Sequence, residues 1–160
     1  MMKPKILFIL HLPPPIHGAA MMGKYIQESE LVNSSFDCFC INLATAGSLS
    51  DIGHISLKKL LKYFFLLKHI SHVVREIRPE LVYITPNAGG KAFFKDFIVV
   101  QMLKSMGCKV IAHYHNKGVS VYQSKWVYNF FYKRFFSNLK VILLAETLYK
   151  DIAKYVKRED

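Results

Sequence analysis

The sequence predicts an α/β fold: a Rossmann-like, doubly wound parallel sheet of about five strands, covered by helices. Three observations carry this. Short apolar or alternating runs recur five times, each followed by a segment of helical periodicity. Runs such as ILFIL and KVILL are continuously apolar, as strands are when both faces of their sheet are covered. Connections are short, and right-handed crossovers then leave few other topologies. The expected strand order is 3-2-1-4-5, within one domain over residues 1–160.

Lys5–Leu10 reads as the first, buried strand, stopped by Pro13, Pro14 and Pro15. Gly18–Val32 reads as a helix, with Ala19, Met22, Ile26 and Glu30 at helical spacing. Phe36–Leu43 (FDCFCINL) alternates and forms strand two. A polar loop containing Gly47, Ser48, Ser50, Asp51 and Gly53 follows. Leu57–Arg78 is the clearest helix. Leu57, Leu60, Leu61, Phe64, Leu67, Val74 and Ile77 mark its apolar side, with Lys58, Lys62, His69, His72 and Glu76 largely opposite. Pro79 ends it. Leu81–Thr85 is strand three, PNAGG a turn, and Lys91–Met106 a helix closed by Gly107. Lys109–His115 (KVIAHYH) is strand four, Ser120–Phe136 an aromatic-rich helix, Lys140–Leu144 strand five and Glu146–Lys157 a final helix.

The net charge of +11 points to an anionic partner surface, whether a phosphorylated small molecule, acidic lipid or nucleic acid. No helix-turn-helix, RRM or zinc-finger pattern accompanies the charge, so nucleic acid is not an expected partner. Three cysteines, Cys38, Cys40 and Cys108, are too few and too scattered for a disulfide framework and suit a reduced, cytoplasmic setting. Lys3 and Lys5 precede an apolar run shorter than the roughly 7–15 residues of a secretory signal. Leu57–Ile77 and Phe93–Met106 are interrupted by Lys, Arg, Asp or His, unlike a membrane span of ~18 or more apolar residues.

Parallel sheets bind ligands beyond the carboxyl ends of their strands, near the point where strand order reverses. In the order 3-2-1-4-5, strands one and four flank that point. The segments that follow them, HLPPPIHG and HNKGVS, are therefore expected to face one crevice, with the PNAGGK turn and its Asn87 at the same edge. Gly18 and Ala19 at a helix start offer backbone N–H groups to an anionic or hydroxyl-rich ligand, and the prolines stiffen the approach. The same residues also suit a plain connection whose prolines end the strand. His113 and His115 share one strand face, with His115 further toward the edge and the better placed for hydrogen bonding or acid–base work. A third metal ligand is not in sight, so neither a metal nor a cofactor is expected. Asn116 and Lys117 are candidate donors to sugar hydroxyls or phosphate, although Lys117 equally suits a solvated loop.

HLPPPIHGAAMMGKYI together with VIAHYHNKG resembles the N-terminal domain of GT-B glycosyltransferases similar to glycosyltransferase family 4. The matching residues are Pro13, Pro14, Pro15, His17, Gly18 and Ala19, then His115, Asn116, Lys117 and Gly118. The resemblance implies a retaining enzyme that moves a sugar from a nucleotide-sugar donor to a saccharide or polyprenyl-linked acceptor, in surface polysaccharide synthesis. It implies that His115 is catalytic and that Pro15, His17, Gly18, Ala19, Asn116, Lys117 and Gly118 bind substrate; Asn87, at the same sheet edge, is a further candidate contact. The family's nucleotide-binding second domain and Glu-x7-Glu pattern are not found in residues 1–160. The chain is accordingly expected to be an N-terminal fragment, a truncated product or one half of a split enzyme, inactive without a C-terminal domain or partner chain.

Two segments also read as interfacial helices: Leu57–Arg78, with Lys58, Lys59, Lys62, Lys68 and Arg75, and Ser120–Phe136, with eight aromatic residues among Lys125, Lys133 and Arg134. They point to peripheral binding at an anionic membrane, on the inner face of the plasma membrane. The alternative is that the aromatics fill the core or pack against another domain. A noncatalytic basic binding or scaffold module remains the rival to an enzyme.

Overall fold

The computed structural model describes residues 3–14, 16–43 and 57–159. Pro15 and the polar loop containing Gly47, Ser48, Ser50, Asp51 and Gly53 lie outside them. The fold is α/β, with a five-stranded, all-parallel sheet flanked by helices. The strands are β1 (Lys5–Leu10), β2 (Asp37–Asn42), β3 (Leu81–Ile84), β4 (Val110–Tyr114) and β5 (Lys140–Leu143). Their order is β2-β1-β3-β4-β5, which corrects the expected 3-2-1-4-5. Apolar runs identify strands but not their neighbours. Here the Glu80 N–H donates to the Lys5 carbonyl (2.9 Å), bringing the start of β3 against β1. Strand order therefore reverses between β1 and β3, and β4 does not flank the reversal.

The chain forms two compact units, Met1–Tyr83 and Ile84–Asp160. In the first, β1 pairs with β2 from Lys5↔Asp37 to Leu10↔Asn42. Ile6 to Leu10 are all buried, as both faces of β1 are covered. Ile6, Phe8 and Leu10 gather Leu12, Ile26, Val32, Phe36, Leu81 and Tyr83 around them. The expected helix from Gly18 to Val32 divides into α1 (Gly18–Glu28) and α2 (Glu30–Ser35). Ser29 turns extended (φ −67°, ψ 115°), and its hydroxyl accepts from the Val32 N–H (3.4 Å), so an N-cap overrides helical periodicity. Next, α3 (Leu57–Ile77) buries only Ile70 and Val74.

In the second unit, α4 (Gly90–Ser105) ends as the sequence predicts. Gly107 takes φ +78° and donates to Lys104, while Cys108 donates to Leu103, the paired bonds of a Schellman motif. The expected helix Ser120–Phe136 separates into α5 (Val119–Tyr122) and α6 (Trp126–Phe136), because Lys125 is extended. The Lys104 ammonium closes α6 by donating to the carbonyls of Phe135 (2.6 Å), Ser137 (2.5 Å) and Arg134 (3.2 Å). Burial lowers its pKa to about 8. The last segment is a 3-10 turn (Glu146–Leu148) and a short α7 (Tyr149–Ile152), not one helix to Lys157.

Most α6 aromatics fill the core. Tyr132, Phe135 and Phe136 are buried, and Tyr128 and Phe131 meet Phe93, Phe94 and Phe97 of α4. Only Trp126 and Phe130 of this helix are exposed large apolar residues. The Phe93 ring lies 4.6 Å from Tyr132 and 5.6 Å from Phe135, centroid to centroid, with no solvent exposure. Phe93→Ala is expected to lower unfolding free energy by about 3–5 kcal/mol in a urea titration. A loss below ~1 kcal/mol would mean that the ring cluster is not packed.

Candidate functional site

In the second unit, the residues after β4 are organised by a carboxylate absent from the expected site. Asp151 of α7, only 6% exposed, accepts from the N–H groups of Gly118 (2.9 Å), Val119 (3.0 Å) and Ser120 (3.0 Å), and from the Ser120 hydroxyl (2.5 Å). Burial works to raise its pKa, but the hydrogen bonds from Ser120, Gly118 and Val119 outweigh it and hold the carboxyl below its ordinary value. Gly118 adopts φ +157° and ψ −10°, where side chain–bearing residues are rare, and is buried. Its N–H serves Asp151, which corrects the expectation that it faces a ligand.

The PNAGGK turn is tied down in the same way. Asn87 donates from its backbone (2.8 Å) and its side-chain amide (2.7 Å) to Asp96 Oδ2. The Ala88 N–H donates to Asn116 Oδ1 (3.1 Å), and the Tyr132 hydroxyl donates to the Ala88 carbonyl (2.5 Å). A Cβ on Gly89 would overlap the Tyr122 ring, so this close approach serves a tyrosine and not an outside molecule. Asn87 and Asn116 thus each commit a side-chain group to the fold. Lys117 is exposed.

Asp96 is fully buried, its Oδ1 has no hydrogen-bond partner, and burial pushes its pKa up to about 6 despite Lys95 and Asn87. The Tyr114 hydroxyl is likewise buried without a partner. Neither residue figured in the sequence reading. Asp96 was legible in principle, since Phe93, Asp96, Val100 and Leu103 recur at helical spacing and all are buried.

His115 follows the last residue of β4. It is half-buried, yet both ring nitrogens are enclosed and neither has a hydrogen-bond partner. Burial lowers its pKa, so the ring is neutral near pH 7 and offers one N–H donor and one lone pair. His113 lies on the same face with its ring centroid 4.2 Å away, and burial followed by the His115 charge pushes its pKa down to about 4. Among the described residues no three His, Cys, Asp or Glu side chains cluster as a metal would require.

In the first unit, His17 caps α1, its Nδ1 accepting from the Ala20 N–H (3.3 Å). Its ring meets His11 edge-on at 6.0 Å. Gly18 is exposed, and a Cβ there would meet no atom within 4 Å. Ala19 is half-buried behind it.

No family model, curated protein or solved structure matches this chain. What these residues can do rests on their own chemistry.

The two buried acids make opposite contributions to stability. Asp96 has a folded pKa above its unfolded value near 3.8, so its contribution is full below about pH 4 and is lost as pH rises through about 6. Asp151 has a lowered folded pKa, so its contribution is present above the unfolded pKa near 3.8 and is lost as pH falls through the folded value. Asp96→Asn is expected to flatten the decline in unfolding free energy between about pH 4 and 6. Asp151→Asn is expected to cost about 1.5–3 kcal/mol near pH 7, a deficit that narrows in acid. Urea titrations across pH check both; parallel curves for wild type and variants would refute the assignments.

Proposed function

We propose that this chain is the acceptor-side half of a glycosyltransferase of the GT-B kind, with His115 in contact with the reacting sugar. One observation carries the reading: a neutral imidazole at the carboxyl end of β4, whose two enclosed nitrogens find no hydrogen-bond partner among the described residues. Open parallel sheets bind ligands beyond that edge, and a neutral histidine suits sugar hydroxyls, to which it both donates and accepts. The family-like segments PPPIHGAA and HYHNKG support the same reading. In the first unit, taken by itself, the first turn of α1 leaves Gly18 open to a phosphate or hydroxyl at the positive end of the helix.

In this reading a nucleotide-sugar is the donor and a saccharide or polyprenyl-linked molecule the acceptor. A second Rossmann-like unit, in whichever chain carries it, binds the nucleotide. His115 holds a sugar hydroxyl, or moves a proton to or from it, as transfer proceeds. Asn116 keeps its amide N–H groups, and Lys117 its ammonium, for hydroxyls or phosphate at the rim.

Sugar transfer is measured with the chain together with its nucleotide-binding half, over a panel of nucleotide-sugars. His115→Ala is expected to lower turnover by about 10²–10⁴-fold with the melting temperature nearly unchanged. Unaltered turnover, or loss of folding, would sink the assignment. Gly18→Val is expected to raise KM for the phosphate-bearing substrate without loss of stability, since among the described residues a Cβ there meets no atom within 4 Å. Normal kinetics in that variant would show that the start of α1 binds no phosphate.

A further inference from the structure

The long helix α3 has three sides, not two. At about 100° per residue, Tyr63, Leu67, Ile70 and Val74 share one side and are half-buried or buried. Leu57, Leu60, Leu61, Phe64 and Phe65 lie on a neighbouring arc of roughly 140° and are all exposed, Leu57 at 73% and Phe65 at 64%. Lys58 and Lys62 border that arc, with Lys59 beyond, and the Lys68 ammonium sits 4.7 Å over the Phe64 ring. From Leu57 to Arg75 there is no acidic residue. The buried residues fall in the second half of the helix. Among the described residues, its first three turns bury no side chain fully and present five large apolar side chains outward.

We propose that α3 docks the protein onto an anionic lipid surface through this arc. Leucine and phenylalanine side chains would enter the headgroup–acyl boundary while the bordering lysines meet lipid phosphates, an arrangement that gives an apolar arc and an adjacent cationic one the same occupant. A second copy of the chain fits less well. Pairing two such arcs would bring Lys58, Lys62 and Lys68 of both copies together without an acidic partner. Spanning is not involved, because no described helix is long and apolar enough to cross a membrane. This inference stands without the sugar-transfer reading.

The test is co-sedimentation of the full chain with vesicles of phosphatidylcholine plus phosphatidylglycerol, against phosphatidylcholine alone, across a salt series. Binding is expected only to the mixed vesicles and to weaken with salt. Phe64→Ser with Phe65→Ser, both exposed and so neutral to folding by circular dichroism, is expected to abolish it. Lys58→Gln with Lys62→Gln, both exposed, is expected to weaken it by at least about tenfold. Phe65→Trp in a Trp126→Phe background should be quenched by brominated lipid. Absence of binding, binding indifferent to both sets of substitutions, or a dimer in sedimentation equilibrium that the phenylalanine substitutions dissolve would each overturn the proposal.

Discussion

The hydrogen bonding of one buried carboxylate decides what the segment after β4 can be. Three successive N–H groups, from Gly118 to Ser120, point inward, the first two of them buried, and Asp151 accepts all three. A neutral residue there would leave several donors unsatisfied in a low-dielectric setting, each a serious cost. With the bend fixed, α5 starts at Val119 and the Tyr122 ring reaches Gly89, stacking on Tyr128 at 4.6 Å. Asn116 then accepts from the Ala88 N–H, and Tyr132 donates to the Ala88 carbonyl. The turns after β3 and β4 are thereby made rigid from within. The polar groups in them that looked free in the sequence are largely spoken for, and the enclosed nitrogens of His115 stand out by contrast.

Much of the architecture was legible because it depends on local chemistry. All five strands were found, since β1 and its companions are apolar over short runs, and the Gly107 stop of α4 follows from backbone freedom at one residue. What was not legible depends on partners distant in sequence. Strand order rests on the meeting of Glu80 with Lys5. The break between α5 and α6 accompanies bonds from Gly118, Val119 and Ser120 to Asp151, more than thirty residues away. The eight aromatics of Ser120–Phe136 looked alike as a sequence, but their fates differ: Tyr132 is sealed in, whereas Trp126 is 80% exposed. Periodicity told that α3 is amphipathic, yet not that half of its apolar side would stay uncovered.

The candidate site divides along the same line. His115 was placed correctly at the end of β4 by alternation, and its enclosure is a tertiary fact added by the fold. His17 illustrates the opposite case. A histidine before a glycine at a helix start reads equally well as a ligand contact or a cap, and Nδ1 is engaged as the cap. Gly89 in the PNAGG turn does permit a close approach, but it is the protein's own Tyr122 ring that makes it. In each instance the residue type announced a geometric need without naming the group that meets it.

Charge needs the same separation of roles. A net charge of +11 invites the inference that the functional centre is cationic. His115 and His113 argue otherwise, because burial lowers both pKa values and His115, its ring 4.2 Å away, lowers that of His113 further. Near pH 7 that strand end is polar and uncharged, better matched to hydroxyl groups than to a phosphate. The positive charge resides instead on solvated lysines, among them those bordering the apolar arc of α3. In the two proposals, recognition of a neutral, hydroxyl-bearing group and attraction to an anionic surface thus fall to different side chains. Each can be altered without disturbing the other, which a single cationic pocket serving both would not permit.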